Sequence, residues 1–492
     1  MKKVPLTGAG LFGKSAVTTR QRLLNVYAEQ RPDGDKTGLA LYGTPGLTAL
    51  SNVAYLQPFR ALLGLPAFMY AIIGGTLQQI DITGNTINQY GYGPPGFTGT
   101  TFCSMAASAT QLLIVDPTLG AFVFTPSTGL INPVTPFPPA ASNTCTFCAG
   151  FFVADNAGTN QFYVSNYLDA TSWGVNPVGI DVGYAVQYGD TIVAVDALTS
   201  NLIILCAGHT EFWQVVGSAG NPFACVLSAT SEYGLAAISS RAHIAGNLCY
   251  LALNRQGTVQ VVAINGYTTT PISDPDLDNV LNKIGYWSDM TAISYVVDSH
   301  PMYQLTSPSA SRSFLYDFST SLWTEVQSGI TGAYAQRHRA VLSTAFQGKT
   351  IVSVAEIPAP LHYIDPTSYV DGYAFTYPFA ANTQLREIVT RHASQDFNVF
   401  SIDEVYLDFE TGVGLVSGQG SVPTVTIECS KDNGRTWTMP VAAGIGPLGG
   451  YLYRAVWRRF GSARDFVFRI RMSDPVKFVV TGGAITVRER KQ

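Results

Sequence analysis

Seven times between residues 77 and 362 the chain repeats one local pattern, a polar turn that runs into a short strand of aromatic and β-branched residues. The segments are GGTLQQIDI, LGAFVFT, TNQFYVSN, HTEFWQVV, QGTVQVVAI, SRSFLYDF and PLHYIDPT. Aligned on Leu77, Phe122, Phe162, Phe212, Val259, Phe314 and His362, they recur every 40 to 55 residues. A four-stranded propeller blade takes roughly 40–50 residues, so the spacing predicts a β-propeller of six or seven blades. LYDFSTSLWTEV adds the strand, polar turn and Trp of a kelch-type outer hairpin. Stacked sandwiches with a coincidental spacing are the competing arrangement, because no repeat carries a strict signature.

Composition argues the same way. Charged residues are 13% of the 492, against 46% apolar and 12% aromatic. Helices need Lys, Glu and Arg for their solvent faces, and these are too scarce to clothe many of them. Strands can be clothed with Thr, Ser, Asn and Gln, and 47 Gly and 27 Pro supply turns. The reading is all-β.

Beyond about residue 375 the texture changes. VFSIDEVYLDFETG, PTVTIECSKDNGRTW, LYRAVWRRFG, FVFRIRMS and VKFVVTGGAITVRER alternate apolar and polar positions, the period of strands covered on one face. They predict a β-sandwich platform. RLLNVYAEQ comes too early to belong to a blade and is read as a strand of that platform. The division expected is an arm and platform strand over 1–45, a propeller over 46–375 and the sandwich over 376–492.

TGAGLFGKSA, near the start, fits both a dinucleotide fingerprint (Gly8, Gly10, Gly13) and a P-loop (Gly8, Gly13, Lys14, Ser15). Both motifs need a buried strand before the glycines and a helix after them. Only seven residues precede Gly8, and AVTTRQRLLNV is a poor helix, so a glycine-rich arm is the better reading. LLIVD at 112–116 mimics the acidic strand of an ATPase but runs into Pro117. SKDNGRTW matches an Asp-box, Ser430, Asp432, Gly434 and Trp437, a structural turn that sialidases repeat on their blades. A sialidase also needs an arginine clamp and a Tyr nucleophile. Cys145-x-x-Cys148 stands alone, without the four ligands of a structural zinc. The seven Cys suit buried, reduced thiols. No catalytic, cofactor or metal residues are assigned. No stretch reads as a secretory signal or a membrane-spanning segment.

Charge is unevenly placed. Residues 61–240 contain no Lys or Arg against nine acids, whereas 451–492 contain ten Lys or Arg against three acids. Arg454, Arg458, Arg459, Arg464, Arg469 and Arg471 form a candidate protein interface, with solvated strand faces and phosphate contacts as the other readings.

RLLNVYAEQRPDG and the following LYGTPGLTAL resemble the start of the tail-hub proteins of short-tailed bacteriophages, the packaged-DNA-stabilising or nozzle proteins. GHTEFWQVVGSAG and VWRRFGSARDFVFRIRMSDPVKFVVTGGAITV are similar to a mid-chain blade and the closing strands of that family. The resemblance implies a non-enzymatic virion component, assembled in the host cytoplasm. It further implies a homo-hexameric ring below the portal-adaptor ring that extends the DNA channel, retains packaged DNA with a needle or plug protein and helps seat tail fibres or spikes. Asn25, Tyr27, Glu29, Pro45 and Gly46 are its landmarks here, without assigned chemistry. A carbohydrate-active, sialidase-like propeller and a monomeric propeller scaffold for protein binding are the alternatives.

Overall fold

Each of the seven repeated segments folds as the third strand of an antiparallel sheet, and the seven aligned residues all lie on those third strands. The computed structural model describes residues 2–3, 11, 21–31, 38–139, 141–173, 182–185, 189–217, 221–329, 337–372, 382–395 and 398–489. Blade 1 runs from the strand Phe59–Gly64 to Thr86–Gly91, blade 2 from Ser104–Ala107 to Leu130–Pro133, and blade 3 from Cys145–Cys148 to Asp169–Trp173. Blade 4 runs from Ile192–Leu198 to Phe223–Cys225, and blade 6 from Thr291–Val297 to Leu322–Glu325. In blade 5 the short strands Tyr233–Leu235 and Ala242–Ile244 share the first edge, and Thr268–Pro271 is the last strand. Blade 7 takes Ala340–Phe346, Lys349–Val354 and His362–Asp365 from late in the chain, and its fourth strand, Gly46–Ala49, from near the start. The propeller therefore has seven blades, closed by an N-terminal strand.

Burial explains why the blades read as apolar runs. The second strands Met69–Ile73 and Leu112–Asp116 are buried along their whole length, because neighbouring blades cover both faces. The outer strand Thr86–Gly91 is almost wholly exposed and polar. Trp323 lies on the outer strand of blade 6, as the kelch-like segment suggested. Its indole donates to Ile272 O at 2.7 Å and packs 5.0 Å from the Tyr316 ring.

Polar contacts join all seven blades into a ring. Cys103 N donates to Arg60 O (2.9 Å), Cys145 N to Ser104 Oγ (3.0 Å), and Val195 N to Thr144 Oγ1 (2.9 Å). Arg241 and His243 meet Asp196 at 2.8 and 2.9 Å, and Ser294 Oγ donates to His243 O at 2.9 Å. Ser294 N donates to Ser343 Oγ (3.2 Å), and Gly64 N closes the circle on Thr344 Oγ1 (2.7 Å).

The platform is a sandwich built from both chain ends. One sheet orders Val26–Gln30, Leu39–Gly43, Val479–Glu489, Phe400–Phe409 and Ala455–Ala463. The other orders Arg22–Leu24, Arg386–Val389, Asp465–Met472, Thr424–Ser430 and Val441–Gly444. Ile402, Val405 and Leu407 from the first pack on Ile427, Phe466, Phe468 and Ile470 from the second. The second sheet is continuous with blade 6, through a parallel pairing of Leu24 with Glu325.

RLLNVYAEQ, expected as one strand, is two. Asn25 adopts φ 51° and turns the chain from one sheet of the sandwich to the other. Asn is tolerated in this left-handed region. The corner is held by Asn25 Nδ2 donating to Gln327 O and Leu385 O, and by Gln327 N donating to Asn25 Oδ1. Tyr27 stacks on Tyr42 and donates to Asp298 Oδ2. At Gly46 a Cβ would stand 2.2 Å from Val370 O, so only glycine fits where the closing strand enters blade 7.

Candidate interaction surfaces

The motifs that suggested chemistry resolve into structural roles where they are described. Gly8, Gly10, Gly13, Lys14 and Ser15 lie outside the described residues; Leu11 is buried in the core of blades 5 and 6. Asp116, the acid of LLIVD, forms a fully buried two-pronged pair with Arg60 at 2.7 and 2.9 Å. Arg60 also donates from Nε to Thr101 O and from Nη1 to Gly74 O. Burial would raise the Asp116 carboxyl, but the Arg60 hydrogen bonds and the Thr118 and Leu119 amides outweigh it and hold it below the carboxylate range. Cys145 and Cys148, three apart on one strand, sit in different cores, between blades 2 and 3 and between blades 3 and 4. They cannot share an ion, and burial pushes their thiols up to about 12 and about 11.

The histidines are dispersed. His300 meets Asp317 at 2.8 Å and His392 meets Asp465. His338 and His362 are buried near Arg339, and burial followed by that charge lowers them to about 3 and about 4. His209 sits between Asp190 and Glu211.

The Asp-box forms a tight connection after Thr424–Ser430. Ser430 Oγ donates to Asp432 Oδ1 (2.7 Å) and accepts from Gly434 N (2.8 Å), while Thr436 N and Oγ1 donate to Asp432. Asn433 and Gly434 take φ 61° and 78°. The hydrogen bonds from Thr436 and Ser430 hold the Asp432 carboxyl far below its ordinary value. Trp437 is half-buried and carries the Arg469 guanidinium 4.3 Å over its ring.

The six candidate interface arginines divide into two groups. Arg469 and Arg471 belong to a line of alternating charge that crosses from blade 6 into the platform. Arg312 pairs with Glu325, which takes Arg22 at 2.5 Å, and Arg22 also reaches Glu387 at 2.9 Å. Glu387 accepts from Arg471 at 2.6 Å, Arg471 lies 3.4 Å from Glu428, and Glu428 binds Arg469 through both oxygens at 2.6 and 2.7 Å. Arg454 and Arg458 are more than half exposed and pair at the surface with Asp408 and Glu404. Arg459 and Arg464 are both exposed, on and just after the same strand.

Beside Arg454 the platform presents apolar loops. Gly449 N donates to Gly412 O and Thr411 Oγ1 to Tyr451 O, which holds residues 411–421 against 445–453. Val416, Leu448, Tyr451 and Leu452 stand 58–101% exposed there. These apolar side chains stand on the same platform as the exposed arginines. A cavity of about 760 Å³ is lined by first-strand residues of blades 1, 2, 5, 6 and 7 and by Asn143 and Thr144 before blade 3, with Arg241, His243 and Lys349 among its polar groups. Arg241 is the one arginine among the described residues lining it, and it is already paired with Asp196. Among the described residues no arginine clamp is assembled in that cavity.

Sequence reasoning missed the charge line, the Arg60–Asp116 pair and the apolar loops. The first two need pairings between residues 13 to 365 positions apart, and the apolar loops read in sequence as turns.

The likenesses to known proteins are of two kinds. Residues 4–357 match the family described as "Bacteriophage P22 Gp10, beta-propeller", and residues 385–488 match "Bacteriophage P22 Gp10, beta-sandwich". No curated protein matches the chain. Among solved structures, the RRP9 WD40 repeats are 10% identical, with 66% of this chain and 99% of that one covered at a TM-score of 0.42. The computationally designed Ika8 protein is 12% identical, with 64% and 99% covered at 0.38. The extracellular domain of the B. thetaiotaomicron hybrid two-component system BT4673 is 9% identical, with 67% and 40% covered at 0.41. Overlaps this low add nothing to the strand pairing, and the assignment rests on the two family matches, which span both halves of the fold. The chain belongs to the bacteriophage P22 Gp10 family, the tail-hub or nozzle proteins of short-tailed phages.

Proposed function

We propose that this tail protein is a subunit of a homo-hexameric ring that extends the DNA channel below the portal-adaptor. In this reading the propeller spans about residues 46–375, and the platform takes 1–45 and 376–492. The protein acts without catalysis, and the ring retains packaged DNA together with a needle or plug and helps seat fibres or spikes. It would be assembled in the host cytoplasm.

One observation carries the reading. The first four blades, Phe59 to Cys225, contain a single basic residue of the Lys or Arg type, Arg60, and its side chain is fully buried on Asp116. More than half of the propeller thus offers DNA no lysine or arginine. Each such cation would bind phosphate and add to a strong, salt-dependent grip, which would hinder a genome that has to slide. We assign this cation-free side to the channel, and the apolar loops with Arg454, Arg458, Arg459 and Arg464 to docking against neighbouring protein rings. Arg469 and Arg471 stiffen the base of that surface from within.

Electron microscopy of the purified protein, alone and mixed with its adaptor ring, tests the assembly; rings or adaptor-bound rings are expected. A chain that stays monomeric in both samples, or that releases sugar from bacterial polysaccharide, replaces the reading with the scaffold or the glycosidase. Duplex DNA should bind weakly at physiological salt, and Gln89→Lys, on the exposed outer strand of blade 1, should strengthen binding.

A further inference from the structure

At one end of blade 4 three kinds of metal-binding atom converge. Cys206 ends the strand Asn201–Cys206, and its amide donates to His209 O at 2.9 Å across the turn Ala207-Gly208. Residues that face each other across an antiparallel hairpin place their side chains on one face of the sheet. Glu211, two residues on, shares that face. The first strand, Ile192–Leu198, pairs with Asn201–Cys206 in the register Ile192 to Cys206, which brings the preceding Asp190 beside the turn. There Gly208 N donates to Asp190 Oδ2 at 2.6 Å, and Asp190 Oδ1 lies 2.6 Å from His209 Nδ1. The donor atoms of Asp190, Cys206 and His209 all lie within 4.8 Å of one another.

We propose that Asp190, Cys206 and His209 form a binding site for a divalent transition-metal ion, Zn²⁺ on the chemistry of the donors. Oxygen, imidazole nitrogen and thiolate together suit zinc and not magnesium or calcium, which take oxygen alone. The second nitrogen of His209 is already committed. Nε2 meets Glu211 Oε1 at 3.1 Å, and the fully buried Glu211 is itself held by Trp213 Nε1 at 3.1 Å. A carboxylate behind a ligating histidine fixes the ring and leaves the other nitrogen to the metal. Cys206 and His209 are buried, whereas a quarter of the Asp190 side chain is exposed, so an ion has a way in. Water completes the fourth position. Binding sends the Cys206 thiol proton and one His209 proton to solvent in exchange for one dication, so the net charge of the buried cluster is unchanged.

The ion would tie the chain entering blade 4 to the turn of the next hairpin. Blade 5 backs that turn tightly, since a Cβ at Gly234 would stand 2.2 Å from Ala207 O. The pin therefore acts at the junction of two blades.

Full-length protein stripped with a chelator and reloaded with Zn²⁺ should hold about one equivalent per chain. Reloaded with Co²⁺ instead, it should show a thiolate-to-cobalt charge-transfer band and the intense visible bands of a four-coordinate ion. Cys206→Ser should abolish the band. Asp190→Asn, on the partly exposed side of the site, should fold as wild type and weaken zinc binding by at least about tenfold. Cys225→Ser, whose sulfur lies 3.9 Å from Glu211, should leave stoichiometry unchanged. A wild type that retains no zinc above buffer, a cobalt band that survives Cys206→Ser, or unaltered affinity in Asp190→Asn overturns the site.

Discussion

Two residue-scale devices set how firmly neighbouring blades grip each other. Arg60 and Asp116 are both fully excluded from water, so removing either partner strands a charge. Asp116→Ala or Arg60→Ala should cost about 3–5 kcal/mol, read as a drop in the urea midpoint, and the double substitution should cost less than the sum. His243 and Asp196 act at the joint of blades 4 and 5. Burial opposes charge on both, yet Asp196 holds His243 above its ordinary value, and His243 with Arg241 pushes Asp196 down to about 2. A raised histidine contributes its stability below its unfolded pKa and loses it as pH rises through the folded value. Asp196 contributes above the ordinary carboxylate range and fades only as pH falls toward 2. The stability gap between wild type and His243→Gln should therefore be widest below the ordinary imidazole pKa and shrink as the pH rises above it, with a small amplitude because half of the His243 side chain is in water. A gap that widens with pH would remove the imidazolium from the joint. At this scale the sequence is a poor guide. Asp116 looks like an ATPase acid and Asn25 like any strand residue until their partners, far along the chain, are known.

Elements were far more legible. Third strands announce themselves because each must fill the middle of a covered sheet with large apolar side chains; Leu77, Phe162, Phe212, Val259 and Phe314 are fully buried and Phe122 partly so. The platform strands show their period because one face meets the core and the other water, as along Phe400–Phe409. What composition could not show is exchange between distant segments. Gly46–Ala49 carries no label that it completes a blade made of residues 340–365. Leu47 is fully buried on that strand. Leu47→Ala should cost about 2–5 kcal/mol and open blade 7 first, so amides of His362–Asp365 should lose hydrogen-exchange protection before those of blade 3. Uniform loss across the propeller would show that closure does not depend on this strand.

For the whole molecule, the uneven charge was readable and the exposed apolar loops were not. A run of 180 positions without a lysine or arginine is plain in any numbering, whereas Leu448, Tyr451 and Leu452 lie among prolines and glycines that mark turns. Leu452, entirely exposed, provides the test. Leu452→Asp should leave the melting temperature within about 1 °C, as surface changes away from caps and cores do, while abolishing ring formation or adaptor binding by sedimentation. Unimpaired assembly would move the interface elsewhere.

Closure of the last blade by Gly46–Ala49, and of the sandwich by Val26–Gln30 and Leu39–Gly43, also bears on biosynthesis. The earliest-made segments must wait for the latest ones: at ordinary translation speeds roughly 15–60 s separate the emergence of Ala49 from that of Asp365. Throughout that interval several strand edges have no mate, so a nascent or truncated product should be a client of ribosome-associated chaperones and a ready source of inclusion bodies.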